Sequence, residues 1–103
     1  MILYNVTVNI EKESEVEWVA WMKETHIPDV LATGMFLENR FYKILHDNED
    51  GSTNYSVQYF ADSMEKILEY QLTFASKLQE DVNEKFKDRF VVFRTLLETV
   101  DKL

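Results

Sequence analysis

A chain of 103 residues forms one domain with room for a single hydrophobic core. An apolar fraction of 46% with 14% aromatics excludes a disordered chain, and no apolar run approaches the roughly 20 residues of a membrane span. Zero cysteines close off disulfide frameworks, thiolate metal sites and cysteine catalysis, while a net charge of -8, with 19 acidic against 11 basic residues, argues against nucleic acid, whose binding needs clustered Lys and Arg.

The chain begins with a period-2 alternation, Ile2, Tyr4, Val6, Val8 and Ile10 against Leu3, Asn5, Thr7 and Asn9, the pattern of a half-buried strand. No basic segment or small-residue cleavage site precedes it, so a cytoplasmic location is expected, with the acidic excess serving solubility. From about Ser14 to Ile27 the residues Val16, Val19, Ala20 and Ile27 trace one helical face and Trp18, Trp21 and Met22 a neighbouring one. Pro28 is expected to stop this helix, and the loop through Ala32 and Thr33 to release the chain into a strand at Gly34.

Two β-branched and aromatic runs follow, about Phe36 to His46 and Asn54 to Ala61. The polar segment Asp47-Asn48-Glu49-Asp50-Gly51 between them predicts a hairpin. Asp62-Ser63-Met64-Glu65 has the character of a capping box, and Met64, Ile67, Leu68, Phe74, Ala75, Leu78, Val82 and Phe86 keep helical spacing after it, with room for a kink in the middle. Phe90 to Phe93 with Leu96 and Leu97 reads as a last strand.

The order βαββαβ with right-handed crossovers predicts a single α+β domain over residues 1–103, ferredoxin-like, with a four-stranded antiparallel sheet and both helices on one face. The other face of the central strands then carries Asn5, Thr7, Asn9, Ser56 and Gln58 beside Leu3 and Phe60. On the outer strands Leu37, Phe41, Leu45, Phe93 and Leu97 share one parity and Arg40, Tyr42, Arg94 and Glu98 the other; which parity faces which way is open at this level. An apolar-edged face with a polar centre suits two subunits packed sheet to sheet around a partly polar space, so a homodimer is expected.

The candidates for chemistry are few. His26 stands just before Ile27-Pro28, where it is expected to meet the free carbonyls of a helix end; in the other reading its neutral imidazole is a base or a metal ligand. His46 lies by an acidic turn, but a two-histidine site would need a further carboxylate, and Asp47, Glu49 and Asp50 lack calcium-loop spacing, so no metal is expected. With only Gly34 and Gly51 in the chain there is no phosphate loop. Trp18 and Trp21 read as core or interface. Arg40 and Arg94 either turn inward to hold a carboxylate bidentately or pair outward with acids such as Glu38 and Glu98.

Taken together in their order and spacing, Met1 to Ile10, Trp18-x-x-Trp21-Met22, His26-Ile27-Pro28, Thr33-Gly34, Tyr55 to Tyr59 and Phe93 to Leu97 resemble the family catalogued as domain of unknown function 4286. The resemblance covers nearly the whole chain. It implies a ferredoxin-like domain related in architecture to dimeric α+β barrels such as the antibiotic-biosynthesis monooxygenases, and carries over no catalytic residue. The resulting expectation is a homodimeric module that needs no cofactor and binds a small molecule or a protein partner at the inter-sheet face, with Asn5, Arg40, Tyr42, Gln58 and Arg94 as candidate ligand contacts. The alternative is a cofactor-independent oxygenase- or isomerase-like enzyme with His26 as base and Asn5, Gln58 or Tyr42 orienting the substrate.

Overall fold

A computed structural model describes residues 1–101. The strand β1 (Ile2–Ile10) leads through a short 3₁₀ turn to α1 (Glu15–Trp21), a π-helical turn over Met22–His26 and α2 (Ile27–Leu31). Then come β2 (Glu38–Lys43), β3 (Thr53–Ala61), α3 (Met64–Thr73), α4 (Ala75–Lys85) and β4 (Phe90–Glu98). The strands form one sheet in the order β2-β3-β1-β4, antiparallel at every pairing, which is the ferredoxin-like arrangement expected of the α+β chain.

Alternation along β1 and β3 fixes the core. The register pairs Tyr4 with Tyr59 and Val8 with Tyr55, so Ile2, Tyr4, Val8 and Ile10 share a face with Tyr55, Val57, Tyr59 and Ala61, and all eight are buried. Trp18, fully buried, packs its ring 5.1 Å from Tyr55 and 5.7 Å from Phe41. At the other end of the sheet Phe36 and Tyr70 close over Tyr4 and Tyr59.

The first helix departs from expectation. Pro28 does not stop it: the proline stands in the first turn of α2 and the helix runs on to Leu31. A proline has no N–H to donate to the carbonyl four residues back, and its ring crowds that carbonyl; the wide π turn just before it, over Met22–His26, is the relief of that conflict. The buried stripe is consequently Trp18, Met22, Ile27 and Val30, stepping by four, five and three residues, while Val16, expected on an apolar face, is 85% exposed. The extra residue turns Ile27 into the core in the place His26 would take in a regular helix.

Gly34, at φ +79°, reverses the chain after the helix, and the next strand starts later than expected, at Glu38, because Phe36 drops into the core first. The β2–β3 connection reverses at Gly51, also at φ +79°, with Asp50 Oδ1 accepting hydrogen bonds from both Ser52 N and Ser52 Oγ. Those bonds hold the Asp50 carboxyl below its ordinary range. Ser63 caps α3 by accepting from Lys66 N at 3.4 Å, and the expected kink falls at Phe74 between α3 and α4.

Candidate functional site

Cross-strand register decides what each face presents. Phe41 pairs with Val57 and so faces the helices; Phe93 pairs with Thr7 and Leu97 with Leu3, and so face away. Arg40 opposite Gln58 and Tyr42 opposite Ser56 join that open face, whereas Arg94 opposite Val6 lies on the helix side. Of the sequence-derived ligand candidates, Asn5, Arg40, Tyr42 and Gln58 therefore share one face and Arg94 the other. His26 is on the helix side as well, so no protomer brings it together with Asn5, Gln58 or Tyr42 as the enzyme alternative required.

The open face is a bonded network with apolar flanks. Ser56 Oγ donates to Asn5 Oδ1 at 2.6 Å, Asn5 Nδ2 to Thr7 Oγ1 at 3.0 Å, and Gln58 Nε2 to Ser56 Oγ at 3.2 Å. Asn9 Nδ2 donates to Asn54 Oδ1 at 2.7 Å and Ser52 Oγ at 2.8 Å. Arg40 pairs with Glu38 at 3.3 Å and stands over the Phe60 ring, the outward ion-pair alternative for this arginine. Beside the network Val91, Phe93 and Leu97 are 69%, 61% and 46% exposed.

The helix side holds a cavity of about 50 Å³ between the sheet and the helices. Val6, Val8, Trp18, Met22, Val82 and Val92 give it apolar walls, and Tyr4, His26, Tyr70, Gln79, Asn83 and Arg94 bring polar groups to it from both layers. His26 follows Trp18 and Met22 along the same side of the helix, with Ile27 taking the core place beside it. Its ring stacks on Trp21 at 5.3 Å and 22°, and among the described residues it has no hydrogen-bond partner; the helix-end carbonyls expected for it are absent because the helix continues past it. Burial pushes its pKa down from the ordinary value; Asp29 and Asp81 oppose that, and Arg94 adds to it.

Burial raises the Tyr4 hydroxyl, against the pull of the neighbouring Arg94 guanidinium and the Gln79 side chain. Tyr70 is also raised by burial, with Arg94 again opposing. Arg94 thus acts on three polar groups of the cavity, and among the described residues it forms no ion pair, unlike Arg40, Lys77 and Lys85. Behind the cavity Tyr59 is held among Tyr4, Phe36 and Tyr70, and its buried hydroxyl has no partner among the described residues.

His46 lies in the exposed β2–β3 connection, and the described residues contain no cluster of three or more His, Cys, Asp or Glu able to hold a metal ion. No helix among them is long and apolar enough to cross a membrane. Sequence reasoning missed Tyr70, Gln79 and Asn83 as cavity residues. Gln79 and Asn83 stand one turn apart on either side of Val82, a mixed polar and apolar helix edge that is the available signal.

The family model described as "Domain of unknown function (DUF4286)" matches residues 1–100. No curated protein matches the chain significantly. Among solved structures, a dimeric ferredoxin-like protein from an uncultured marine organism superposes with a TM-score of 0.73 at 16% identity, covering 100% of this chain and 98% of that one. An ethyl tert-butyl ether d (ethd) family protein of Bacillus halodurans gives 0.68 at 13% identity, with 97% and 100% covered. A candidate antibiotic biosynthesis monooxygenase of Deinococcus radiodurans gives 0.65 at 13% identity, with 100% and 96% covered. At these identities the likeness is one of fold.

Proposed function

The chain belongs to the DUF4286 family, and from the geometry of its own residues we propose that it is a homodimeric module that packs its open sheet faces together and holds a small molecule in the helix-side cavity of each protomer. The observation that carries this reading is the contrast between the faces: polar groups on the open face bond one another, whereas Tyr4, His26, Gln79 and Arg94 ring a cavity in which the His26 imidazole has no hydrogen-bond partner among the described residues. A closed network flanked by Val91, Phe93 and Leu97 suits a surface covered by a second copy, and it has little hydrogen-bonding capacity left for a ligand between the sheets. Support for the dimer also comes from the fold likeness to the dimeric marine protein. This moves the ligand from the inter-sheet space to the cavity, and Arg94 takes the place of Asn5, Arg40, Tyr42 and Gln58 as the ligand contact.

A second reading, a cofactor-independent enzyme, is favoured by one feature: His26 is a half-buried imidazole at the cavity, without a hydrogen-bond partner among the described residues and with its pKa pushed down, which is the state of a base able to take a proton at neutral pH. Light scattering on size exclusion and a fragment screen followed by two-dimensional NMR test the main reading. A particle of twice the chain mass, with fragment shifts gathered at Tyr4, Trp18 and His26, supports it. A monomer, or shifts gathered at Asn5 and Gln58 instead, overturns it.

A further inference from the structure

The cavity's electrostatics run against those of the chain. Acidic residues outnumber basic ones 19 to 11, yet no Asp or Glu lines the cavity and its single permanent charge is the Arg94 guanidinium. Three other cations are matched, Arg40 by Glu38, Lys77 by Asp81 and Lys85 by Glu17, whereas Lys12, Lys23, Lys43, Lys66, Lys87 and Arg89 form no ion pair among the described residues but line no part of this cavity. Arg94 has no carboxylate partner among the described residues, and its guanidinium instead stands beside the Tyr4 hydroxyl, near Tyr70 and His26. A cation entering here would meet an arginine and no lining carboxylate, with Asp29 and Asp81 acting only on the His26 side. A dianion such as phosphate would meet one guanidinium, with no glycine-rich turn of backbone N–H groups beside it, inside a chain of net charge -8.

We infer that the cavity takes the carboxylate head of a small organic monoanion, with the Arg94 guanidinium as its anchor and the Tyr4 hydroxyl, the Gln79 amide and the His26 imidazole as hydrogen-bonding neighbours. The inference rests on the ligand-site reading above and specifies its chemistry. A guanidinium presents paired N–H donors that match the two oxygens of a carboxylate, and the other three groups can each donate as well. Val6, Val8, Val82 and Val92 receive the aliphatic part. A cavity of about 50 Å³ has room for roughly three to five water-sized groups, the size of a carboxylate with one or two carbons beyond it. Arg94 stands on the edge strand β4 and is solvent-exposed, so a longer acid can leave its tail outside.

The test titrates sodium propionate and its uncharged isostere propionamide into the intact protein, following backbone and imidazole NMR signals. Propionate is expected to saturate signals of Tyr4, Trp18 and His26 at millimolar concentration and to bind at least about tenfold tighter than propionamide. Arg94→Gln is expected to remove about that tenfold preference, Arg94→Lys to keep part of it, and Arg89→Gln, in the turn before β4, to leave it unchanged. Equal binding of acid and amide, or a preference that survives Arg94→Gln, overturns the carboxylate assignment while the ligand site itself stands. The acid-to-amide comparison is made on the unaltered protein, so it decides even where a variant fails to fold. Saturation by neither compound around Trp18 and His26 overturns both the assignment and the site.

Discussion

On the open face Asn5, Thr7, Ser56 and Gln58 are bonded to one another across β1 and β3, whereas on the reverse of the same strands Tyr4, His26 and Arg94 converge on a cavity and His26 has no hydrogen-bond partner among the described residues. Both faces would look polar in a count of residues. The difference lies in whether the hydrogen-bonding capacity is already filled. A filled network can be covered by another surface at little desolvation cost, because its donors keep their acceptors; an unfilled set gains when a ligand arrives.

The largest expected effect breaks the open face. Phe93→Asp places a charge where a second copy would bury it, and is expected to weaken the dimer on the order of 100-fold by light scattering over a dilution series. Its circular dichroism should remain that of a folded chain, since Phe93 is 61% exposed in the protomer. An unchanged dimer would put the interface elsewhere.

Next in size is a pair of truncations. Asn5→Ala removes the acceptor of Ser56 and the donor of Thr7, and in a covered face is expected to cost about 1–3 kcal/mol in urea unfolding. Gln79→Ala, at the cavity, is expected to cost less than about 1 kcal/mol, because it breaks no closed network. Equal costs would erase the contrast between the two faces.

A third expectation concerns pH. The folded pKa of His26 is depressed below its ordinary value of 6.5, so between the two values the unfolded chain holds a proton that the folded chain lacks. The contribution of His26 to stability is complete above that window and falls as pH drops through it. His26→Phe is expected to flatten this dependence, seen as a smaller gap between urea midpoints at pH 7.5 and pH 5 than in the unaltered protein. Identical gaps would mean that the imidazole is solvated rather than held at the cavity.

The smallest effect probes the cavity's back wall. Tyr59→Phe deletes a buried hydroxyl without a partner among the described residues and is expected to be neutral or stabilising by up to about 1 kcal/mol. Loss of more than that would mean the hydroxyl is bonded in solution.

Much of this architecture was legible in local chemistry. Alternation from Ile2 to Ile10 and from Tyr55 to Tyr59 defines the two central strands and their core face, because the side-chain period of a strand is two whatever surrounds it. Gly34 and Gly51 stand at positive φ, and Ser63 caps its helix, for reasons confined to a few neighbouring residues. The outer strands were not legible in this way. Phe41 and Phe93 share a parity in the sequence yet face opposite sides, since each strand's facing is set by register with its neighbour and not by its own pattern.

The order of elements, the central core, the turns and the exclusion of cysteine chemistry were thus determined by the sequence alone, each resting on short-range geometry or composition. The path of the first helix past Pro28, the placing of His26 at the cavity, and the separation of Arg94 from Arg40 were decided only by tertiary structure. The π turn gives Ile27 the core place and leaves His26 at the cavity edge, and Gln79 and Asn83 reach the same space from a helix more than fifty residues later in the chain. Such a meeting depends on how layers pack, which no local period encodes, and that is why the fold was readable before the site was.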